Sequence, residues 1–289
     1  MTPFSIACLQ LAVASADNRD RIEREIARTV ERFPWVQMVM LPELASFGPG
    51  LHAAETLPGP TESRYRTLAQ RLGIWLVPGS LYERDGARVY NTAVVIDPGG
   101  EVVGRYRKIY PFLPYETGVS HGTETLVFDV PEVGCFGVSI CYDQWFPEVA
   151  RAMAWRGAEV ILHPTLTGTI DRSQELVLAQ ANAIANQCFF VDINHAGALG
   201  NGRSIIVGPE GDVVYQAGEQ HEVIPVTLDL DLDRVRGTRS NGIKGLGQML
   251  KSFRDTTVDF PCYGQGGGGP PVSPSLRSLG PLTLPERGR

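Results

Sequence analysis

Apolar strand-like runs alternate with amphipathic helical patterns along most of this chain, and few folds accommodate that alternation. Strand candidates fall at 4–10, 36–41, 74–80, 91–96, 101–107, 134–140, 159–163, 189–194, 203–207, 212–215 and 223–230. Helices lie between several of them. Over 18–33, Ile22, Ile26, Val30 and Phe33 share one helical face, with Arg and Glu opposite. Further helices are predicted over 62–72, 147–156 and 172–186. The helix at 147 opens on Pro147, whose missing N–H costs nothing in a first turn. Strands alternating with helices predict an α/β layer architecture.

The chain also resembles itself. NTAVVIDPGGEVVGRYRK, from Asn91, matches GRSIIVGPEGDVVYQAG, from Gly202. Each is an apolar strand, a turn with Pro and then Gly, and a second strand. Pro98 and Pro209 pre-set the first turn residue, and Gly100 and Gly211 close the hairpin. Two equivalent hairpins predict two halves related by a pseudo-twofold, with two sheets packed face to face. This body spans 1–263. The remainder, 264–289, begins GQGGGGPPVSP and is too rich in Gly and Pro to build a core. It is expected to be a mobile end or an arm laid over a neighbouring subunit.

Several function classes are disfavoured. A net charge of −6 and a pI near 5.5 argue against a nucleic-acid or anionic-membrane binder. No apolar run is long enough to suggest a membrane-spanning helix. FSIACLQLAVASAD lacks a positive leader and is interrupted by Gln10, so it reads as a first strand and not as a signal segment. The cysteines, Cys8, Cys135, Cys141, Cys188 and Cys262, are odd in number and scattered, which favours reduced thiols and a cytoplasmic location. No CxxC or HxxxH pair occurs, so no metal site is expected.

Three places carry candidate chemistry. Glu43, in VMLPELASFG, follows an apolar run at the carboxyl end of a buried strand, where open α/β sheets place ligands. An ordinary solvated Glu would fit that motif alone equally well. Lys108, in GRYRKIYPFLPYE, is one of only three lysines among 26 basic residues, and a compact ammonium suits one developing charge. Cys141, in GCFGVSICYDQWFPEVAR, ends a strand just before a helix. A nucleophile at such an elbow is exposed and borrows backbone N–H donors. A free Cys is more commonly buried in a core, but Tyr142, Asp143 and Gln144 suggest that the strand leaves the core here. His163 and His195 each end a predicted strand, which leaves a Cys–His pair open. A Glu–Lys–Cys set offers the same functions: Glu takes the thiol proton, while Lys lowers the thiol pKa and holds an oxyanion.

On these residues the chain resembles the nitrilase superfamily of carbon–nitrogen hydrolases. LPELASFG, YRKIYPF and ICYDQWFPEVAR occur in family order, with Lys108 65 positions after Glu43 and Cys141 33 positions after Lys108. NHAG and GRSIIVGPEGDVV are similar to the family's second half. The resemblance implies a four-layer αββα sandwich with the active site at the strand ends. It implies Glu43 as general base, Cys141 as nucleophile, Lys108 as stabiliser of the tetrahedral intermediate and the Tyr142 N–H as second oxyanion donor. It further implies no cofactor and a homodimer or higher homo-oligomer.

Glu116, eight residues after Lys108, looks like the second glutamate that aliphatic amidases and formamidases place beside the substrate amide. CYDQWFPE also resembles the N-carbamoyl-amine amidohydrolases, and Tyr142–Asp143 replaces the Trp-Glu typical of true nitrilases. Pocket walls are expected from Phe112, Tyr115, Trp145, Thr165 and Leu166, which suit a small neutral substrate. The expected activity is hydrolysis of a small linear amide through a cysteine thioester. The alternatives are an N-carbamoyl substrate, or acyl transfer from the same thioester. A non-enzymatic scaffold is disfavoured, because Glu, Lys and Cys are all present.

Overall fold

A computed structural model describes residues 3–231, 235–241, 247–257 and 273–280. In chain order the first half runs β1 (Pro3–Gln10), α1 (Arg19–Arg32), β2 (Met38–Met40), α2 (Pro60–Leu72), β3 (Trp75–Val77), β4 (Ser80–Asp85), β5 (Arg88–Ile96) and β6 (Val102–Arg107). The second half runs β7 (Leu126–Val130), β8 (Gly134–Val138), α3 (Pro147–Trp155), β9 (Val160–Pro164), α4 (Arg172–Asn186), β10 (Phe189–Ile193), β11 (Ile205–Val207) and β12 (Val213–Gln216). Then follow β13 (Glu222–Asp229), α5 (Val235–Asn241), α6 (Met249–Arg254) and α7 (Pro274–Arg277).

The strands form two sheets. One has the order β13-β1-β2-β3-β5-β4, with β6 also on β5; the other is β12-β11-β10-β9-β8-β7. Each has a parallel centre, β1-β2-β3 and β8-β9-β10, flanked by antiparallel strands. Strand by strand, β13, β1, β2, β3, β5 and β6 correspond to β7, β8, β9, β10, β11 and β12. The helices α1 and α2 correspond to α3 and α4. The repeated hairpins obey the same rule in detail. Ile96 faces Val102 and Val207 faces Val213, each beside a register shift. Asp97 N–H donates to Glu101 C=O (2.9 Å) as Gly208 N–H donates to Asp212 C=O (2.8 Å). These paired features are the pseudo-twofold expected from the sequence, and β4 is an addition to the first half.

Period-two alternation explains the layers. In β1, Phe4, Ile6 and Cys8 face the space between the sheets, while Ala7 and Leu9 pack beneath α1 and α2 with Ile22, Ile26, Tyr65 and Leu68. In β10, Phe189, Val191 and Ile193 face inward, and Phe190 packs with Val149, Met153 and Leu176 of α3 and α4. Both faces of the central strands are therefore buried, which gives the αββα sandwich. The strands β4 and β7 escaped sequence reading because each lies at the end of its sheet and its apolar pattern is short: Glu83, Arg84 and Asp85 interrupt β4, and only Phe128 and Val130 of β7 are buried.

Residues 258–272 and 281–289 lie outside the described residues, including most of the Gly/Pro-rich stretch. Its described part rests on this chain: Ser273 N–H donates to Trp155 C=O (3.0 Å), and Leu279 packs with Trp155 and Leu250. Among the described residues no helix is long and apolar enough to cross a membrane.

The inter-sheet layer makes a direct prediction. The Phe136 ring lies 5.4 Å from Phe4 and 5.7 Å from Phe128, centroid to centroid, and is fully buried. Phe136→Ala is expected to lower stability by about 3–5 kcal/mol, read from denaturant unfolding. A loss below about 1 kcal/mol would mean that this layer is not a close-packed core.

Candidate active site

The carboxyl ends of the parallel strands meet at one end of the sandwich. Glu43 N–H donates to Thr165 C=O (3.3 Å), joining the segment after β2 to the segment after β9 across the sheets. Glu43 is held rigidly. Its own carbonyl accepts from His195 Nε2 (2.7 Å), and the next residue, Leu44, has φ +52°. Gly79 has φ +72°, and a Cβ there would lie 1.8 Å from the Pro42 carbonyl oxygen, so only glycine allows this approach to the segment bearing Glu43.

Lys108 directly follows β6. Its N–H donates to Asn91 C=O (2.8 Å), and its C=O accepts from Gly122 N–H (2.8 Å). The ammonium reaches Glu43 Oε1 at 2.9 Å and Glu116 Oε2 at 2.7 Å. Exposure is 1% for Lys108, 3% for Glu43 and 8% for Glu116. Asn91, on β5, donates from Nδ2 to both carboxylates, at 2.7 Å to Glu43 Oε1 and 2.9 Å to Glu116 Oε1. Phe112 N–H supplies a further donor to Glu116 Oε2 at 2.6 Å.

Cys141 opens a 3-10 turn, Cys141–Trp145, between β8 and α3, and has φ +46°. A non-glycine residue there stores about 1–3 kcal/mol and needs its surroundings to hold it. Asp143 does so. It accepts from Ile140 N–H (2.9 Å), Tyr110 N–H (2.9 Å) and Tyr106 Oη (2.7 Å). Because Tyr106 and Tyr110 flank Lys108, Asp143 ties the cysteine elbow to the lysine segment. Here the sequence reading needs correction. Asp143 and Gln144 are buried, so the chain does not leave the core at this point, and the thiol is only 6% exposed.

Burial is the largest influence on every ionisable group of the cluster. It raises Glu43 above the usual carboxylate range, against the pull of Lys108. It raises the Cys141 thiol well above its ordinary value, with Glu43 adding to the rise and Lys108 opposing it. It works against the Lys108 ammonium, but Glu43, Cys141 and Glu116 outweigh it and keep the lysine charged. At Glu116 burial is outweighed by Lys108, the Phe112 N–H and Asn91, which lower its pKa. The set therefore holds one ammonium, one firm carboxylate, one carboxylate that takes a proton readily, and a neutral thiol. His163 bonds Ser139 Oγ (2.7 Å), and burial pushes both His163 and His195 down to about 4, so neither is the poised base of a Cys–His pair.

Cys141 lies on the wall of a cavity of about 430 Å³. Phe112, Tyr115, Tyr142, Trp145 and Leu166 line it, as do Thr167 and Glu175. Thr165 does not line it. It is fully buried and uses its backbone on Glu43 and β10. The pseudo-twofold explains why: VMLPEL after β2 and ILHPTL after β9 are equivalent, so Thr165 is the mate of Glu43 at the seam between the sheets. Sequence reading missed Asn91, Thr167 and Glu175. The signal for Asn91 was an amide inside an apolar strand, where Asn is disfavoured.

Asn91 yields a test. Asn91→Leu removes one donor from each of two buried carboxylates, and such bonds contribute about 1.5–3 kcal/mol each. Denaturant unfolding is expected to show a loss of at least about 1.5 kcal/mol; an unchanged midpoint would show that the amide does not bind the cluster together.

Comparisons with known proteins agree with this geometry. The carbon-nitrogen hydrolase family model matches residues 5–240. An N-carbamoylputrescine amidase of Solanum lycopersicum is 35% identical over 219 residues, covering 65% of this chain and 70% of the relative. An omega-amidase, NIT2 of Homo sapiens, is 28% identical over 281 residues, covering 90% and 97%. Among solved structures, Saccharomyces cerevisiae Nit3, a member of branch 10 of the nitrilase superfamily, superposes with a TM-score of 0.76 at 28% identity, covering 86% of this chain and 96% of that one. An amidase from Nesterenkonia sp. AN1, solved as a variant with the acetamide moiety of fluoroacetamide covalently added to its active-site cysteine, gives 0.72 at 27% identity over 78% and 90%. Two pseudo-symmetric halves, a buried Glu–Lys–Glu cluster beside a strained cysteine, and a family match over most of the length lead to one conclusion: this chain belongs to the carbon-nitrogen hydrolase family.

Proposed function

We propose that the protein hydrolyses the carbon–nitrogen bond of a small linear amide through a thioester on Cys141, releasing ammonia. One observation carries the reading: a buried ammonium held at 2.9 and 2.7 Å by two carboxylates, beside a cysteine on a cavity wall. Glu43, its pKa raised by burial, accepts the thiol proton as Sγ attacks the carbonyl carbon. The oxyanion is received by the Lys108 ammonium and the Tyr142 N–H, which lies in the first turn of a short helix where backbone donors have no partner within the helix. Collapse breaks the C–N bond, and the amine departs with the proton held by Glu43. Water then attacks the thioester, Glu43 again taking the proton; the C–S bond breaks, the acid is released and Glu43 returns the proton to Sγ. Glu116 stays ionised and orients the substrate NH₂.

The covalent adduct on the active-site cysteine of the Nesterenkonia amidase supports the nucleophile assignment. An N-carbamoyl amine is the second reading, supported by the tomato relative. The free thiols Cys8, Cys135, Cys141 and Cys188 support work in a reducing cytoplasm, and the exposed Ile170 and Val177 support pairing with a second copy.

Ammonia release tests the assignment. Cys141→Ala is expected to have no turnover, and retained turnover would overturn the thioester. Lys108→Arg is expected to lose about 10²–10³ in rate, because the larger planar guanidinium cannot present one proton at the same point. A near-normal rate would make Lys108 structural. Glu116→Gln is expected to lower kcat on amides while iodoacetamide still alkylates Cys141, since Glu43 and Lys108 remain. Unchanged amide turnover would remove Glu116 from the chemistry.

A further inference from the structure

One buried carboxyl on the cavity wall takes no part in that chemistry. Glu175, in the first turn of α4, is 3% exposed. Its Oε2 accepts from Arg172 Nη1 at 3.1 Å, and the same nitrogen donates to Asp192 Oδ2 at 2.7 Å. Its Oε1 accepts from the Thr167 hydroxyl at 2.9 Å. Thr167 is itself fixed: its N–H donates to Asn194 Oδ1 (2.9 Å), and its C=O accepts from Asn194 Nδ2 (2.9 Å) and Asn201 N–H (3.0 Å).

A threonine hydroxyl has one proton and two lone pairs. With that proton committed to Glu175, Oγ1 offers only lone pairs to the cavity. It does so 3.9 Å from Cys141 Sγ, where the thiol itself is the available donor. Once the thiol has lost its proton, this acceptor is free for the substrate.

An acyl carbon has three substituents. With the oxygen on Lys108 and Tyr142, the NH₂ faces Glu116, which orients it, and Glu43, which gives it the proton on departure. The third substituent must enter the cavity, where Leu166 C=O at 4.0 Å and Thr167 Oγ1 at 3.9 Å are polar neighbours of the thiol besides Glu43. Both are acceptors. A methylene there would offer neither of them a donor, whereas an N–H would satisfy one of them.

We propose that Thr167, oriented by Glu175, is the specificity-determining residue of the cavity. It accepts a hydrogen bond from an N–H on the acyl carbon, so that ureido compounds, R–NH–CO–NH₂, are preferred over amides of the same shape, R–CH₂–CO–NH₂. The inference rests on the reading of Cys141 as an amide-cleaving site, and it favours the N-carbamoyl substrates within that reading. Burial and the neighbouring Asp192 lift Glu175 to about 7, against Arg172 and Thr167, so the orientation of the hydroxyl is secure above that pH.

The test compares N-propylurea with pentanamide at roughly pH 8.5, where Glu175 is ionised. Two readouts are taken: kcat/KM for ammonia release, and protection of Cys141 against iodoacetamide. The wild-type chain is expected to favour N-propylurea by about tenfold or more. Thr167→Val, which keeps the shape and removes the acceptor, is expected to bring that ratio close to one. Thr167→Ser, which keeps the hydroxyl, is expected to retain the preference. Equal treatment of the two compounds by the wild type, or a ratio unmoved by Thr167→Val, would overturn the proposal. If the wild type released ammonia from neither compound, the amide-cleavage reading would fail. The protection ratio would then decide the role of Thr167 by itself, supporting it if N-propylurea protects better and Thr167→Val abolishes the difference, and refuting it otherwise.

Discussion

The ammonium of Lys108 is the charge around which this end of the molecule is built. Removing such an ion from water costs several kcal/mol even after relaxation, and the cost is recovered only where geometry and hydrogen bonding are nearly complete. Both conditions hold. Glu43 and Glu116 take two of the ammonium protons, and Asn91 donates to both carboxylates and also accepts the lysine's own backbone N–H. Removing any one member leaves an uncompensated buried charge or donor. The cluster is thus a constraint on the fold as well as the proposed source of the chemistry. It fixes where the segments after β2 and β6 must lie. Asp143, bonded to Tyr106 and to the Tyr110 N–H, carries the same constraint to the cysteine elbow.

The pseudo-twofold explains how so many groups converge. Each half brings the carboxyl ends of three parallel strands to the same edge, and packing the two sheets face to face joins the edges. The halves contribute unequally. The first supplies Glu43, Asn91, Lys108 and Glu116; the second supplies Cys141, Thr167 and Glu175. Equivalent positions have diverged, as Glu43 and Thr165 show: one is charged and bonded to Lys108, while the other is neutral and serves the seam. Strained backbone concentrates at the same place, at Leu44 beside Glu43 and at Cys141 itself.

Much of this was legible in the amino-acid order. Strands buried on both faces leave long apolar runs, and their alternation with helices named the fold class. The twin Pro-Gly hairpins predicted two halves, because turn geometry demands those residues locally. Glu43, Lys108, Cys141 and Glu116 stood out at strand ends or in a signature, and the structure gathers them. What failed to show depends on packing at a distance. The edge strands β4 and β7 leave a weak pattern, because Glu83, Arg84 and Asp85 interrupt β4 and only Phe128 and Val130 of β7 are buried. The polarity of Asp143 and Gln144 suggested solvent, yet Asp143 is polar because three donors inside the protein require an acceptor. Thr165, expected on the cavity wall with Leu166, stays between the sheets, and the wall begins one residue later at Leu166. Glu175 occupies a helical first turn, where an acid has an ordinary electrostatic reason to be; only the fold shows Thr167 and Arg172 against it.

The central claim is that an amide lies with its carbonyl oxygen on Lys108 and its NH₂ between the two glutamates, above the cysteine. A crystal structure of the Cys141→Ala chain soaked with a short aliphatic amide measures this directly. The account predicts the carbonyl oxygen within about 3 Å of both Lys108 Nζ and the Tyr142 nitrogen, with the NH₂ facing Glu43 and Glu116. An amide bound with its oxygen turned away from Lys108, or seated elsewhere in the cavity while Glu43 and Glu116 still held the lysine, would contradict it.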